Sequence, residues 1–215
     1  MSRRQLPVSV DIGGETYMIN TDFRTIMDIE EVLFSPDLTE KQRAFAEEME
    51  QYSDVSHEDA CQNARYYDAM EMFYKGNIPE DLTEAMEQML WFYSCGKEEK
   101  GKAPKKPVLS FKYDFDYINA GFLQDYKIDL FEVDQLHWWK FMSLFSALHD
   151  DCKICEIIGW RAAEPKDYKD KEQKKRIREM QKVYALPNER AAEEEKKREA
   201  LIAALMGDGD ISGLV

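Results

Sequence analysis

The sequence predicts a mainly α-helical fold, a multi-helix bundle that opens with an N-terminal β-hairpin. Three observations predict it. From Asp22 onward, apolar residues recur at spacings of three and four, the period of a helix face. Helix-start signals precede most of those stretches. Only one pair of segments, at the N-terminus, reads as two strands around a tight turn. The chain has 215 residues with 44% hydrophobic content, enough for a core and too apolar for global disorder.

The hairpin is read from LPVSVDI and ETYMIN on either side of Gly13-Gly14, a dipeptide that supplies the positive φ angles of a two-residue turn. Two strands alone are marginal in water, so this hairpin must lean on helices. The first helix follows from Phe23, Ile26, Met27, Ile29 and Leu33, with Thr21 or Asp22 as its cap and Ser35-Pro36 as its stop. A second starts at Thr39, which forms a capping-box pattern with Gln42; Phe45, Met49 and Tyr52 follow. A third runs from Ser56 through Tyr66, Met70 and Phe73 to Gly76. A fourth is expected from Pro79, in the position proline favours, with Leu82, Met86, Met89, Leu90 and Tyr93 as its stripe and Gly96 as its close.

Residues 97–107, KEEKGKAPKKP, contain nothing large and apolar and read as a linker or mobile loop. The expected organisation is therefore 1–96 for the hairpin and first helices, 97–107 for the linker, 108–187 for an aromatic-rich helical core, and 188–215 for a polar helix and disordered tail. Within the core, helices are expected at 112–126, 134–149 and 151–163. A basic helix at 165–185 follows, ended by Pro187, and Asn188 caps a last one to 206.

Charge narrows the function classes. The chain carries 43 acids against 29 bases, a net charge of −14 with an isoelectric point near 4.8. A surface this acidic repels bare phosphate, so a nucleic-acid partner is not expected. No apolar run approaches the length of a membrane span, and MSRRQLPVSV lacks the apolar stretch of a signal peptide. Four cysteines are too few for a disulfide framework. These features predict an intracellular, membrane-free protein with its thiols reduced. The charge is uneven: residues 1–94 hold 20 acids and 7 bases, whereas 161–182 hold 9 bases and 5 acids. Self-association, with basic helices of one copy meeting the acidic half of another, is one use of that asymmetry; simple solvation is the other.

Catalytic motifs are missing in several classes. There is no G-x-x-x-x-G-K-[ST], no G-x-G-x-x-G and no G-x-S-x-G. His149, Cys152 and Cys155, with Asp150 and Asp151 beside them, are the best metal candidates, since thiolate and imidazole suit zinc. No second C-x-x-C pair completes a closed site, and buried thiols beside Ile154, Ile157 and Ile158 explain the cysteines. Asp114, Asp116, Asp125 and Asp129 lack the calcium-loop glycine and closing Glu, and read as acids around helix ends. His137 reads as a hydrogen-bonded core residue. No enzyme activity, metal or cofactor is expected.

The most informative segment is LHWWKFMSLFSAL, residues 136–148. At 100° per residue, Trp138, Phe141, Met142, Leu144, Phe145 and Leu148 share a sector about 160° wide, while Leu136 and Trp139 lie outside it. Such a helix is either packed on both sides or has one face free for a partner. Leu136, Trp138, Trp139, Phe141 and Phe145 are the candidate partner-binding residues.

FKYDFDYINAGFLQDYKIDLFEVDQLHWWKFMSLFSAL, then IIGWRA, then the basic stretch ending in VYALP, resemble a tailed-phage protein family. It is the family named for gene product fifteen of siphophages and prophages of Gram-positive bacteria. The resemblance is strongest over 108–187 and looser in the N-terminal half. It implies a non-enzymatic tail-morphogenesis protein, similar to the tail assembly chaperones that hold the tape measure protein soluble in the cytoplasm of the infected or lysogenic host. A structural virion component, such as a head–tail connector or minor tail protein, is the alternative. The 11 Met, 11 Phe, 11 Tyr and 4 Trp suit a groove that accepts varied apolar side chains, and equally an aromatic-rich core.

Overall fold

The computed structural model of the chain describes residues 5–35, 37–97 and 107–187. Eight α-helices and one two-stranded hairpin are found among them. The chain divides into two compact units, one of residues 1–103 with 122–148 and one of 104–121 with 149–215. The expected linker at 97–107 lies outside the described residues except for Lys97 and Pro107, and the expected helix and tail at 188–215 lie wholly outside them.

The first unit opens with β1 (Ser9–Ile12) and β2 (Glu15–Met18), antiparallel and in register from Ser9 opposite Met18 to Ile12 opposite Glu15. Gly13 and Gly14 both have positive φ, +58° and +85°, as a turn that matches strand twist requires. The chain then stays extended to Asp22, and hydrogen bonds hold it to the end of another helix: Asn20 N–H donates to the Phe73 carbonyl at 2.7 Å and Lys75 N–H to Met18 at 2.9 Å.

α1 (Phe23–Phe34), α2 (Glu40–Tyr52) and α3 (His57–Phe73) start as the local signals direct. The Asp22 carboxylate accepts from Arg24 N–H, both bonds of the Thr39–Gln42 capping box are present, and Ser56 Oγ accepts from Asp59 N–H. α2 and α3 pack through Ala46, Ala60 and Ala64, whose small side chains let the backbones come close, with Phe45, Met49 and Val55 at the margin.

α4 (Leu82–Tyr93) begins three residues later than Pro79 implies. Asp81 caps it, accepting from the N–H groups of both Thr83 and Glu84; a carboxylate that satisfies two orphan donors outcompetes a proline that satisfies none. Cys95 and Gly96 then turn left-handed, at φ +57° and +67°, to end it.

α5 (Phe111–Tyr126) carries the boundary between the units, which falls after Gly121. Its C-terminal residues and α6 (Trp138–Phe145) complete the first unit. α6 is only half as long as the periodicity of 134–149 predicts. Leu136–His137 is extended instead, bridged to Thr21–Phe23 by Phe23 N–H to the Leu136 carbonyl (3.0 Å) and Trp138 N–H to Thr21 (2.7 Å). The core here is aromatic. Phe141 stacks on Phe23 at 5.0 Å and Phe122 at 5.1 Å, with Trp138 at 5.6 Å; all four side chains are buried.

The second unit holds the first part of α5, α7 (Lys153–Ala162) and α8 (Lys171–Val183). The basic stretch expected at 165–185 is split, with a 3-10 turn at Pro165–Asp167 before Asp170 caps α8. Ile118, Ile154, Ile157 and Cys152 are fully buried. One ion pair ties the pieces together. Arg161 meets Asp114 at 2.6 and 2.9 Å and also donates to the carbonyls of Tyr184 (2.7 Å) and Val108 (3.2 Å). Its side chain is 8% exposed and that of Asp114 2%. Trp160 stacks on Tyr184 at 5.2 Å beside it.

Candidate functional site

The Leu136–Phe145 segment is placed by backbone and side-chain bonds to the N-terminal residues of the same unit. Asp22 uses one carboxylate oxygen to cap α1 and the other to accept from Leu136 N–H at 3.2 Å. Arg24 reaches across to the carbonyls of Leu130, at 3.1 Å, and Val133. His137 caps α6. Its Nδ1 accepts from Trp139 N–H at 3.1 Å and its Nε2 lies 2.8 Å from the Pro7 carbonyl. Only the neutral ring with its proton on Nε2 satisfies both bonds. The histidine is thus a structural cap, hydrogen-bonded as its apolar neighbours imply.

Both tryptophans serve the end of α4. Trp138 Nε1–H donates to the Tyr93 carbonyl and Trp139 Nε1–H to the Phe92 carbonyl, each at 2.8 Å. Carbonyls in the last turn of a helix lack intrahelical donors, so the two indoles close α4 from outside. Leu136, Trp138 and Phe141 are buried and offer a partner no surface in this fold. Trp139 and Phe145 are half-buried, so of the five sequence candidates only these two reach the surface.

α4 carries exposed apolar side chains of this unit. Its buried face is Ala85, Met89 and Phe92, while Leu82 (48% exposed), Leu90 (49%) and Trp91 (41%) remain outside. Trp91 meets Trp139 edge-on at 5.3 Å, so the half-buried indole joins this surface. Leu82 and Leu90 were legible in the stripe of the fourth helix. Trp91 lies off that stripe, and only the tertiary contact with Trp139 brings it in.

Two carboxyls of α1 are perturbed: burial, with the charge of Glu31, raises that of Asp28. Burial pushes Glu30 of α1 from its ordinary 4.5 up to about 7, against a hydrogen bond from Tyr93 that lowers it. Of the sequence metal candidates, Cys152 is buried at the N-terminus of α7. Among the described residues no group of three or more His, Cys, Asp and Glu is arranged to hold a metal ion. Asp114, one of the acids read around helix ends, is the buried partner of Arg161. No helix among the described residues is long and apolar enough to cross a membrane.

These features define a mainly α-helical protein whose notable surface is apolar and aromatic. The comparison with protein families is more particular. Residues 3–186 match the family described as Bacteriophage Gp15 protein, and the chain belongs to that family. It is a bacteriophage structural or morphogenesis protein. No curated protein matches the chain. No solved structure matches it either.

Proposed function

We propose that this protein is a non-enzymatic tail assembly chaperone that binds the tape measure protein in the host cytoplasm and keeps it soluble until the tail tube assembles. The observation that carries this reading is the exposed pair Leu90 and Trp91 in the last turn of α4, with Trp139 against Trp91. A tape measure is a long helical chain with apolar stripes, and an amphipathic helix is held by apolar anchors on a firm support. Trp and Leu on a capped helix lose little side-chain freedom when a client covers them. Family membership supports the setting, since it puts the protein in phage morphogenesis.

The test is co-expression with the tape measure protein, followed by size exclusion of the soluble fraction. The chaperone reading expects a soluble complex with several copies per client. Leu90→Ser with Trp91→Ala should release the client while helix content is unchanged. Trp138→Ala should instead unfold the first unit, because it removes a buried indole at a cost of about 3–5 kcal/mol. A client that stays insoluble while this protein elutes alone overturns the reading. Mass spectrometry of finished virions separates the alternative: a chaperone is absent from them, and a connector or minor tail protein is present.

A further inference from the structure

We propose that α8 of one copy docks on the α2–α3 corner of a second copy, giving head-to-tail chains held by charge and broken by salt. This goes beyond the chaperone reading and needs no client.

The first surface is the outer face of α8. At 100° per residue, Lys171, Lys174, Lys175, Arg178 and Lys182 fall in a sector about 100° wide, opposite Ile177 and Met180. Ile177 is buried and Met180 half-buried, whereas four of the five cations are exposed and Lys174 is half-exposed. Among the described residues none of the five has an ion-pair partner. A row of five like charges along about three turns repels itself, and an anionic partner relieves that repulsion.

The second surface is the α2–α3 corner. A shallow groove lined by Phe45, Glu48, Met49, Tyr52 and Ser53 runs along α2. Tyr52 is 77% exposed. Glu48 lines it and Asp54 follows Ser53 at its end, both exposed. The apolar floor and acidic rim suit a basic helix, and α8 also carries an exposed aliphatic residue, Val183. Lys171 to Lys182 spans about 16 Å, and the groove from Phe45 to Ser53 about 12 Å.

The charge balance favours this occupant. Every copy brings its own acidic surface, whereas nucleic acid must approach a chain of net charge −14 against repulsion. Because the two surfaces differ, the contact is heterologous, and such contacts propagate into open chains or close into rings.

Sedimentation of the full chain at about 20 mM and about 1 M salt tests the proposal; at the higher concentration the screening length shrinks to about 3 Å. The expected result is a sedimentation coefficient that rises with protein concentration at low salt and falls to the monomer's at high salt. Lys175→Glu with Arg178→Glu, and separately Glu48→Lys with Asp54→Lys, should each weaken association on the order of 30-fold, as two exposed attractions become repulsions. Mixing the two variants should restore a complex, since the reversed rows then complement each other. Glu132→Lys with Asp134→Lys, which changes net charge by the same amount elsewhere, should leave association unchanged. A monomer at every salt concentration, a mixture that stays monomeric, or equal loss in the control overturns the proposal. So does association that survives 1 M salt, or basic-row variants that lose only nucleic-acid binding.

Discussion

Replacing Asp114 by Asn should destabilise the second unit more than any exposed substitution within it. The Asp114 carboxylate accepts two bonds from Arg161, at 2.6 and 2.9 Å, and a third from Ser110 N–H at 2.9 Å. With Asn in place, the guanidinium keeps the carbonyls of Tyr184 and Val108 but loses its counter-charge at a site only 8% exposed. Removing one partner of a buried pair costs about 3–5 kcal/mol. The two remaining acceptors put Asn at the low end, about 3 kcal/mol, a large fraction of the ~5–15 kcal/mol that holds a domain. Hydrogen exchange read by mass spectrometry suits the question, because it reports the amides of α7 and α8 apart from those of the first unit. A loss of about 3 kcal/mol speeds their exchange by about a hundredfold. Arg161→Met should cost at least as much, since it also strands two carbonyls. In the double variant the two losses should fall short of additivity by about 2 kcal/mol or more. Exchange in α7 and α8 that changes by less than about fivefold in Asp114→Asn, a cost below ~1 kcal/mol, refutes the reasoning and means that water replaces the pair.

Two further outcomes are expected in the first unit. Gly96→Ala should lower stability by about 1–3 kcal/mol: φ at +67° penalises any Cβ, and that Cβ would lie 3.0 Å from Cη2 of Trp139. Thermal melting together with a red shift of tryptophan emission checks it, and an unchanged melting temperature speaks against the close packing. For Glu30, the folded carboxyl holds its proton up to about pH 7 while the unfolded one releases it near 4.5. Stability therefore falls as pH rises through that window and levels off above it. Glu30→Gln should remove this slope and gain on the order of 2 kcal/mol at pH 8, after allowance for the group's partial exposure. Urea unfolding of both proteins between pH 5 and 8 measures the difference, and parallel curves contradict it.

The elements legible in the sequence are those whose signals are local. Gly13-Gly14, Thr39 with Gln42, Ser56 and Asp22 each act within four residues, and each turn or cap forms as read. The start of α4 departs from the Pro79 signal for an equally local reason. Pro79 and Asp81 compete over two residues, and hydrogen-bond count decides. The short α6 could not be read at all. Leu136 and His137 have helical spacing, but their backbone pairs with Thr21–Phe23, more than 110 residues away, and nothing near 136 announces that partner. Arg161 is the parallel case in the second unit. A charged residue after Gly159-Trp160 reads as a helix-end cation, and only the fold brings Asp114, 47 residues earlier, against it.

Trp138 and Trp139 show why the candidate surface was half legible. Periodicity put them on different faces of one helix and left open which face was core. The question changes once their indoles are seen to donate to adjacent carbonyls at the end of α4. Each ring is fixed by a polar bond at its edge, and burial is then set by what lies behind it. Behind Trp138 are Tyr93 and Phe141, stacked at 5.6 Å on either side. Trp139, half-buried, has Trp91 and His137 edge-on, Phe92 tilted against it and the bare Cα of Gly96 beside it. The pair therefore closes the helix that carries Leu90 and Trp91, and Trp139 packs against Trp91 there. In the chaperone reading this coupling has a use. Leu90 and Trp91 are held by a capped helix and two hydrogen-bonded indoles, so a client meets side chains whose ordering cost was met on folding. Loss of either indole bond should then weaken client capture even where the contact residues themselves are untouched.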